Sequence, residues 1–288
     1  MNGERKIDVV VADPRRDMPV RKMEFGFGDH VDLIFNRGDP WLSYASHAFW
    51  MTMPYLEPYL MRSLRTALPL VDDATLREQM RRFCLQEGQH YQQHAKLNDV
   101  LRRANPKFEA LRAIEAELDA DYKRFSAERD LAFNLAYAEA FESMTMAMSR
   151  TQMEMRVHEH MTPPIRDLFL WHITEEMEHR CVAFDAYRAL GKGFFYRVRA
   201  ARQSLRHYLG YVARFHAAFL EADSARVAEL TTPAMVAQRR AFQQAFNRRN
   251  TPRHLATFLP WYDPARVRMP AGFEAAREHY SARAVTTN

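Results

Sequence analysis

Two short acidic signatures recur in this chain, Glu87-Gly88-Gln89-His90 and Glu176-Met177-Glu178-His179. In each, the glutamate and the histidine stand three residues apart, which puts both on one face of a helix. A lone glutamate precedes each signature: Glu57 lies 30 residues before Glu87, and Glu142 lies 34 before Glu176. The windows around them are apolar: Met53, Leu56 and Leu60 near Glu57, Phe83 and Tyr91 near Glu87, Phe141 and Met144 near Glu142, Trp171 and Ile173 near Glu176. A solvated helix face would carry more lysine and arginine beside each acid. Uncompensated carboxylates are expensive in a core, so an acid in each of four core-like helices calls for cations. The order Glu, Glu-x-x-His, Glu, Glu-x-x-His is the donor set of a four-helix di-metal site. The plainer alternative is a set of surface carboxylates and core histidines.

The rest of the pattern is helical. Residues 1–30 read as a lead-in, flexible or strand-like over its first 22 residues, and 31–288 as a single helical domain. Within it, about 41–190 would hold the metals, and about 193–288 would form a C-terminal helical extension. Pro40 suits a first helical turn, and a helix is expected from Trp41 to Ala67, although Pro54 and Pro58 flank Glu57 and must break or bend it. Asp72-Asp73 opens the next helix, and Asn105-Pro106 closes it. Further helices are expected over 107–124, 128–160, 169–190, 193–222 and 232–247, with Pro252 starting an irregular tail. No period-two alternation is long enough for a sheet core. The expected fold class is therefore all-α, a ferritin-like helical bundle with additional C-terminal helices.

The metal ligands expected are Glu57, Glu87, His90, Glu142, Glu176 and His179, and the four glutamates are also expected to take part in the chemistry. Oxygen-rich donors with two imidazoles and no thiolate suit two iron ions, with manganese admitted and zinc a poorer fit. Four ionised glutamates balance two divalent cations. His94, His172, Glu139 and Glu175 lie one helical turn or less from these residues and are expected as extra ligands or as hydrogen-bond partners behind them. Ordinary hydrogen bonding within the bundle is the competing role for each. The run Met144, Met146, Met148, Met153, Met155 reads as core packing or as the lining of an apolar channel.

The formal charge of +5, from 41 basic and 36 acidic residues, is mild. With no zinc finger, phosphate loop or aromatic–basic platform, no nucleic-acid partner is expected. Cys84 and Cys181 are too few for a disulfide framework and read as buried thiols. No apolar run is long enough to span a bilayer, and a cytoplasmic location is expected. The stretch 193–221 interleaves aromatic and aliphatic residues with arginines. It would pack on the bundle or a second subunit, or lie on an anionic membrane.

The run from Phe83 to His94, followed by Asn98, resembles a bacterial family described as predicted metal-dependent hydrolases. The stretch Trp171 to Arg180 is similar to that family's second signature. Glu142-Ser143-Met144-Thr145 is similar to its third-helix Glu-x-x-Thr, and Met53-Pro54-Tyr55-Leu56-Glu57 with Arg65 to its first helix. Met53 and Leu56 depart from the phenylalanine and glycine usual there, which leaves the ligands intact and alters the surroundings of the pocket. The resemblance covers roughly residues 30–190 and implies a ferritin-like or heme-oxygenase-like di-iron fold.

Three functions follow as expectations. The first is a non-heme di-iron, O2-dependent oxidase or oxygenase acting on a small apolar or amphipathic substrate, with an electron donor as partner. The second is a di-metal hydrolase, and the third a non-catalytic metal-binding or iron-storage protein. A homodimer is compatible with each.

Overall fold

The computed structural model describes residues 18–28, 31–190 and 192–284; the first seventeen residues of the lead-in lie outside them. Ten α-helices are described: α1 (Pro40–Ala67), α2 (Ala74–Ala104), α3 (Leu111–Glu128), α4 (Leu131–Glu154), α5 (Ile165–Glu178), α6 (Val182–Ala189), α7 (Phe194–Ala222), α8 (Ser224–Leu230), α9 (Pro233–Ala256) and α10 (Phe273–Arg283). Among the described residues there is no sheet, only an isolated bridge between Asn36 and Met161. The result is an all-α bundle, consistent in general terms with a ferritin-like metal-binding fold.

Caps fix where the first two helices start. The Asp39 carboxylate accepts from the amides of Trp41 and Leu42, and Pro40 fills the first position. Asp73 does the same for Thr75 and Leu76. Each cap satisfies donors that the helix leaves open and puts negative charge at its positive end. α4 is buried on nearly all sides and forms the axis of the bundle. Around it lie α1, α5, α6, α7 and α9, with α2 against α1, α5 and α6.

Pro54 and Pro58 do not end α1, which runs unbroken through both. Pro54 has no amide proton to give the Trp50 carbonyl. The Asn98 side chain from α2 supplies one instead, Nδ2 to Trp50 O at 3.3 Å. A neighbouring helix thus satisfies the backbone group that the proline opens.

Three expected boundaries are corrected. The 169–190 helix is two helices, α5 and α6, separated at His179-Arg180-Cys181. Arg180 folds back so that Nη1 donates to the Met177 carbonyl, which the break exposes. The 128–160 helix ends at Glu154, followed by a short 3-10 turn over Val157–His160. α9 continues past 247 and contains Pro252. The carbonyl that Pro252 strands belongs to Arg248, an exposed residue, where water can take the place of the missing donor.

The described lead-in is not a free arm. Arg21, Met23 and Phe25 are buried while Lys22 and Glu24 are exposed, the period of an extended chain with one face inward. Side chains of α2 hold it by its backbone: Gln86 Nε2 donates to Pro19 O at 2.9 Å and Gln93 Nε2 to Met23 O at 2.7 Å. α7 packs against α1 and α4, burying Leu205, Tyr208, Phe215 and Phe219. No described helix is long and apolar enough to cross a membrane.

Candidate metal centre

α1, α2, α4 and α5 each turn acids into one buried volume, and His179 enters it from the break after α5. Glu57, Glu87, Glu142 and Glu176 are at most 2 % exposed, and His90 and His179 are fully buried. Glu57, His90 and His172 offer ligand atoms within 4.8 Å of one another, and Glu87, Glu176 and His179 form a second such group. Glu142 joins the second group through His179, whose Nε2 lies 3.1 Å from Glu142 Oε2 and 3.4 Å from Glu87 Oε1. His90 Nδ1 lies 3.7 Å from Glu87 Oε2 and 3.6 Å from Glu176 Oε1. Donors spaced about 3 Å apart suit ligands sharing a cation at roughly 2.1 Å.

The test of fit is hydrogen bonding. Both oxygens of Glu57, Glu87 and Glu142, with Glu176 Oε2, His90 Nδ1 and His179 Nε2, are buried without a hydrogen-bond partner. Buried polar atoms are almost always satisfied, so nine orphaned donor atoms facing one another fit cations. The two groups could each coordinate a divalent metal ion.

The orientation of each imidazole is set from behind. His90 Nε2–H donates to Glu175 Oε2 at 3.1 Å, leaving Nδ1 for the centre. His179 Nδ1 faces Gln86 Oε1 at 3.3 Å, leaving Nε2. Glu175 also accepts from Trp171 Nε1 and Arg21 Nη1, both at 2.9 Å. Arg21 reaches Glu178 through both of its terminal nitrogens, and Gln86 Nε2 donates to Glu178 at 3.0 Å. One buried guanidinium from the lead-in therefore anchors the partners of both histidines, an arrangement that fixes tautomer and ring orientation.

His94 and His172 differ from this pair. His94 Nε2 and His172 Nδ1 are 2.5 Å apart, and His172 Nε2 lies 2.9 Å from Glu176 Oε1. His172 thus stands within a ligand group, with His94 behind it. Glu139, expected near the centre, is elsewhere: its carboxylate accepts from Ser143 Oγ and Arg197 Nη1, both at 2.9 Å, and ties α4 to α7. Glu175 takes the supporting position that Glu139 does not. Arg21 and Gln86 escaped notice in the sequence. The alternation of Met23 and Phe25 with Lys22 and Glu24 was the available signal for the first.

Burial pushes the Glu57 carboxyl well above the ordinary range, with Glu87 adding to it. Burial, then Glu176, pushes Glu142 up to about 8. Burial opposes charge on His90, but Glu175 and Glu87 hold it well above its usual value; Glu142 and Glu176 do the same for His179. Burial raises Glu176 too, yet His179 and His172 hold it well below. His94 is kept low by burial and by His172. Without metals, protons on imidazoles and carboxyls supply the positive charge that these acids require.

A cavity of about 530 Å³ reaches this centre at His172 and Glu176. Its walls include Phe49 and Trp50 of α1, Thr145 and Met148 of α4, Phe169 and Ile173 of α5, and Phe242 and Phe246 of α9. Of the methionine run, Met148 lines the cavity, while Met144, Met146 and Met153 are buried in the core.

No curated protein and no solved structure matches the chain significantly. One family profile, described as "Predicted metal-dependent hydrolase", matches residues 19–267. That span takes in the described lead-in from residue 19, the donor helices and the helix over the cavity, and the chain belongs to the family of predicted metal-dependent hydrolases.

Proposed function

We propose that the chain is a two-metal enzyme acting on a small apolar or amphipathic organic substrate that enters the cavity beside His172 and Glu176. The observation that carries this reading is the meeting of nine orphaned buried donor atoms with an apolar cavity. A storage role gives no reason for such a cavity.

Hydrolysis is the first chemistry to assign, because the family description supports it. Divalent ions held by Glu57, Glu87, His90, Glu142, Glu176 and His179, with His172 alongside, would supply Lewis acidity toward a substrate oxygen and an acidified water. The chain's own part is positional. Glu175 and Gln86 hold the two ring tautomers. The aromatic walls keep bulk water from the reacting bond. His172 stands between His94 and Glu176, with Nδ1 2.5 Å from His94 Nε2 and Nε2 2.9 Å from Glu176 Oε1, and so positions that carboxylate beside the cavity.

Oxygen-dependent oxidation is the second reading, and one observation favours it: the donors are four carboxylates and three imidazoles with no thiolate, a set suited to iron. It requires O2 and an electron donor. The deciding experiment loads the purified protein with manganese or with iron and assays apolar esters under argon and in air. Hydrolysis is expected under argon with either metal. Turnover confined to iron, with reductant and substrate-coupled oxygen uptake, would transfer the assignment to oxidation.

A further inference from the structure

Granting the reading that the cavity is where substrate binds, we propose that the substrate is an elongated aliphatic carboxylate, with its anionic head at Arg37 and, at the far end of its hydrocarbon chain, the reacting bond at the metal donors.

The cavity runs along the bundle. From Glu142, α4 lines it successively with Thr145, Met148, Ser149 and Gln152, a helical rise of roughly 15 Å at 1.5 Å per residue. Its inner end is buried and, apart from His172 and Glu176, is walled by apolar or hydroxyl side chains. At the outer end Trp41, Gln152 and Phe242 are half-buried and Asn247 is exposed, so this end is the mouth. Glu176 is the only acid among the lining residues. Apart from Asn36, whose buried Oδ1 has no hydrogen-bond partner, and Gln243, the chamber accepts a hydrocarbon chain along its length and polar groups at its two ends.

The mouth carries two guanidiniums of different standing. Arg239 lies over the Trp41 ring and is 3.4 Å from Asp39, which neutralises it. Arg37 lies over the Phe242 ring, its Cζ 5.1 Å from the centroid. Among the described residues no carboxylate is within ion-pair distance of it. Its backbone is left-handed, φ 56°, and its amide is fixed to His160 O at 2.9 Å. Left-handed backbone is costly for a side chain of this size and persists where the surroundings impose it. Arg37 is thus an exposed cation beside the mouth, held over a ring that lines the cavity and without an ion pair to any described residue. A carboxylate is the anion that the planar guanidinium fork matches. The head would then lie far from the metals, and the reacting bond would be at the opposite end of the molecule.

The test is binding to the full chain, which needs no turnover. Decanoate and decanol are titrated into the protein, followed by calorimetry and by the fluorescence of Trp41 and Trp50, which line the cavity. Decanoate is expected to bind about tenfold more tightly than decanol, the scale of one charge-assisted contact. Arg37→Gln should remove that preference by weakening decanoate alone, and Arg37→Lys should restore part of it. Equal affinity for the two ligands in the native protein, or a preference that survives Arg37→Gln, overturns the carboxylate assignment and leaves the cavity as a substrate site. Binding of neither ligand overturns both.

Discussion

The two ends of the cavity are built by opposite rules. At the metal end the titratable groups are almost wholly buried; the donor atoms face one another unpartnered, and the imidazoles are held from behind by Glu175 and Gln86. At the outer end α9 has no buried residue at all, and its phenylalanines cover the cavity while half-exposed. A donor displaced by an ångström loses its cation, so the inner end is held by a network. A hydrocarbon wall tolerates such shifts, so the outer end needs only a covering helix. The contrast predicts that damage of similar chemical size will be severe at one end and slight at the other.

Metal removal should give the largest effect. Binding at about a thousand times Kd contributes roughly 4 kcal/mol, or about 10 °C in Tm for a chain of this size. Chelation should lower Tm by that order, and Glu87→Ala should reduce the metal content seen by elemental analysis. An unchanged Tm after complete metal removal would remove the charge-compensation argument.

Arg21→Ala comes next. It leaves Glu175 with His90 and Trp171 but no guanidinium, and Glu178 with Arg277 and Gln86 alone. Breaking a buried pair costs about 3–5 kcal/mol, and loss of a supporting partner costs about 10–100-fold in metal affinity. Arg214→Ala, which breaks an exposed pair with Glu117, should change stability by less than about 1 kcal/mol. Equal effects in denaturant titrations would abolish the distinction between buried and surface pairs drawn here.

Protons sharpen the comparison further. Glu57, Glu142, His90 and His179 all have raised values in the folded, metal-free chain. Their contribution is present in acid and is lost as pH rises through the folded values, near 8 for Glu142. Glu176, held low, works in reverse, and its contribution is lost as pH falls. Metal binding needs these donors deprotonated. The Tm gap between metal-loaded and metal-free protein should therefore widen between about pH 6 and about pH 9. A constant gap across that range would mean that protons do not replace the cations.

The smallest effect belongs to α9. Phe246→Ala should cost about 1 kcal/mol or less, because the ring is only half-buried, whereas Phe141→Ala in α4 should cost about 3–5 kcal/mol. In the assay Phe246→Ala should raise KM with little change in kcat. A large stability loss would show that α9 is part of the core.

Much of the inner end was legible in the sequence. An acid amid apolar neighbours, repeated on four helices at fixed intervals, is a local signal, and the three-residue step between Glu and His is set by helix geometry alone. The supporting layer was less legible. Glu139 and Glu175 looked equivalent on their helices, yet one meets Arg197 and the other His90, Arg21 and Trp171. Gln86 and Asn98 lie within or just after a recognisable motif, but what they bind is a strand-like segment and a proline-freed carbonyl on other parts of the chain. The helix break that turns His179 inward gave no glycine or proline to announce it.

By itself, then, the sequence determined that the chain is helical, where the first two helices begin, and the four acids that must share positive charge, because periodicity and burial act between near neighbours. Tertiary structure alone decided which acid faces a guanidinium and which the metal centre, how the lead-in lies across α2, and where α9 covers the cavity. Those outcomes depend on contacts between residues as much as 260 positions apart, and no local pattern encodes the free energy of such a meeting.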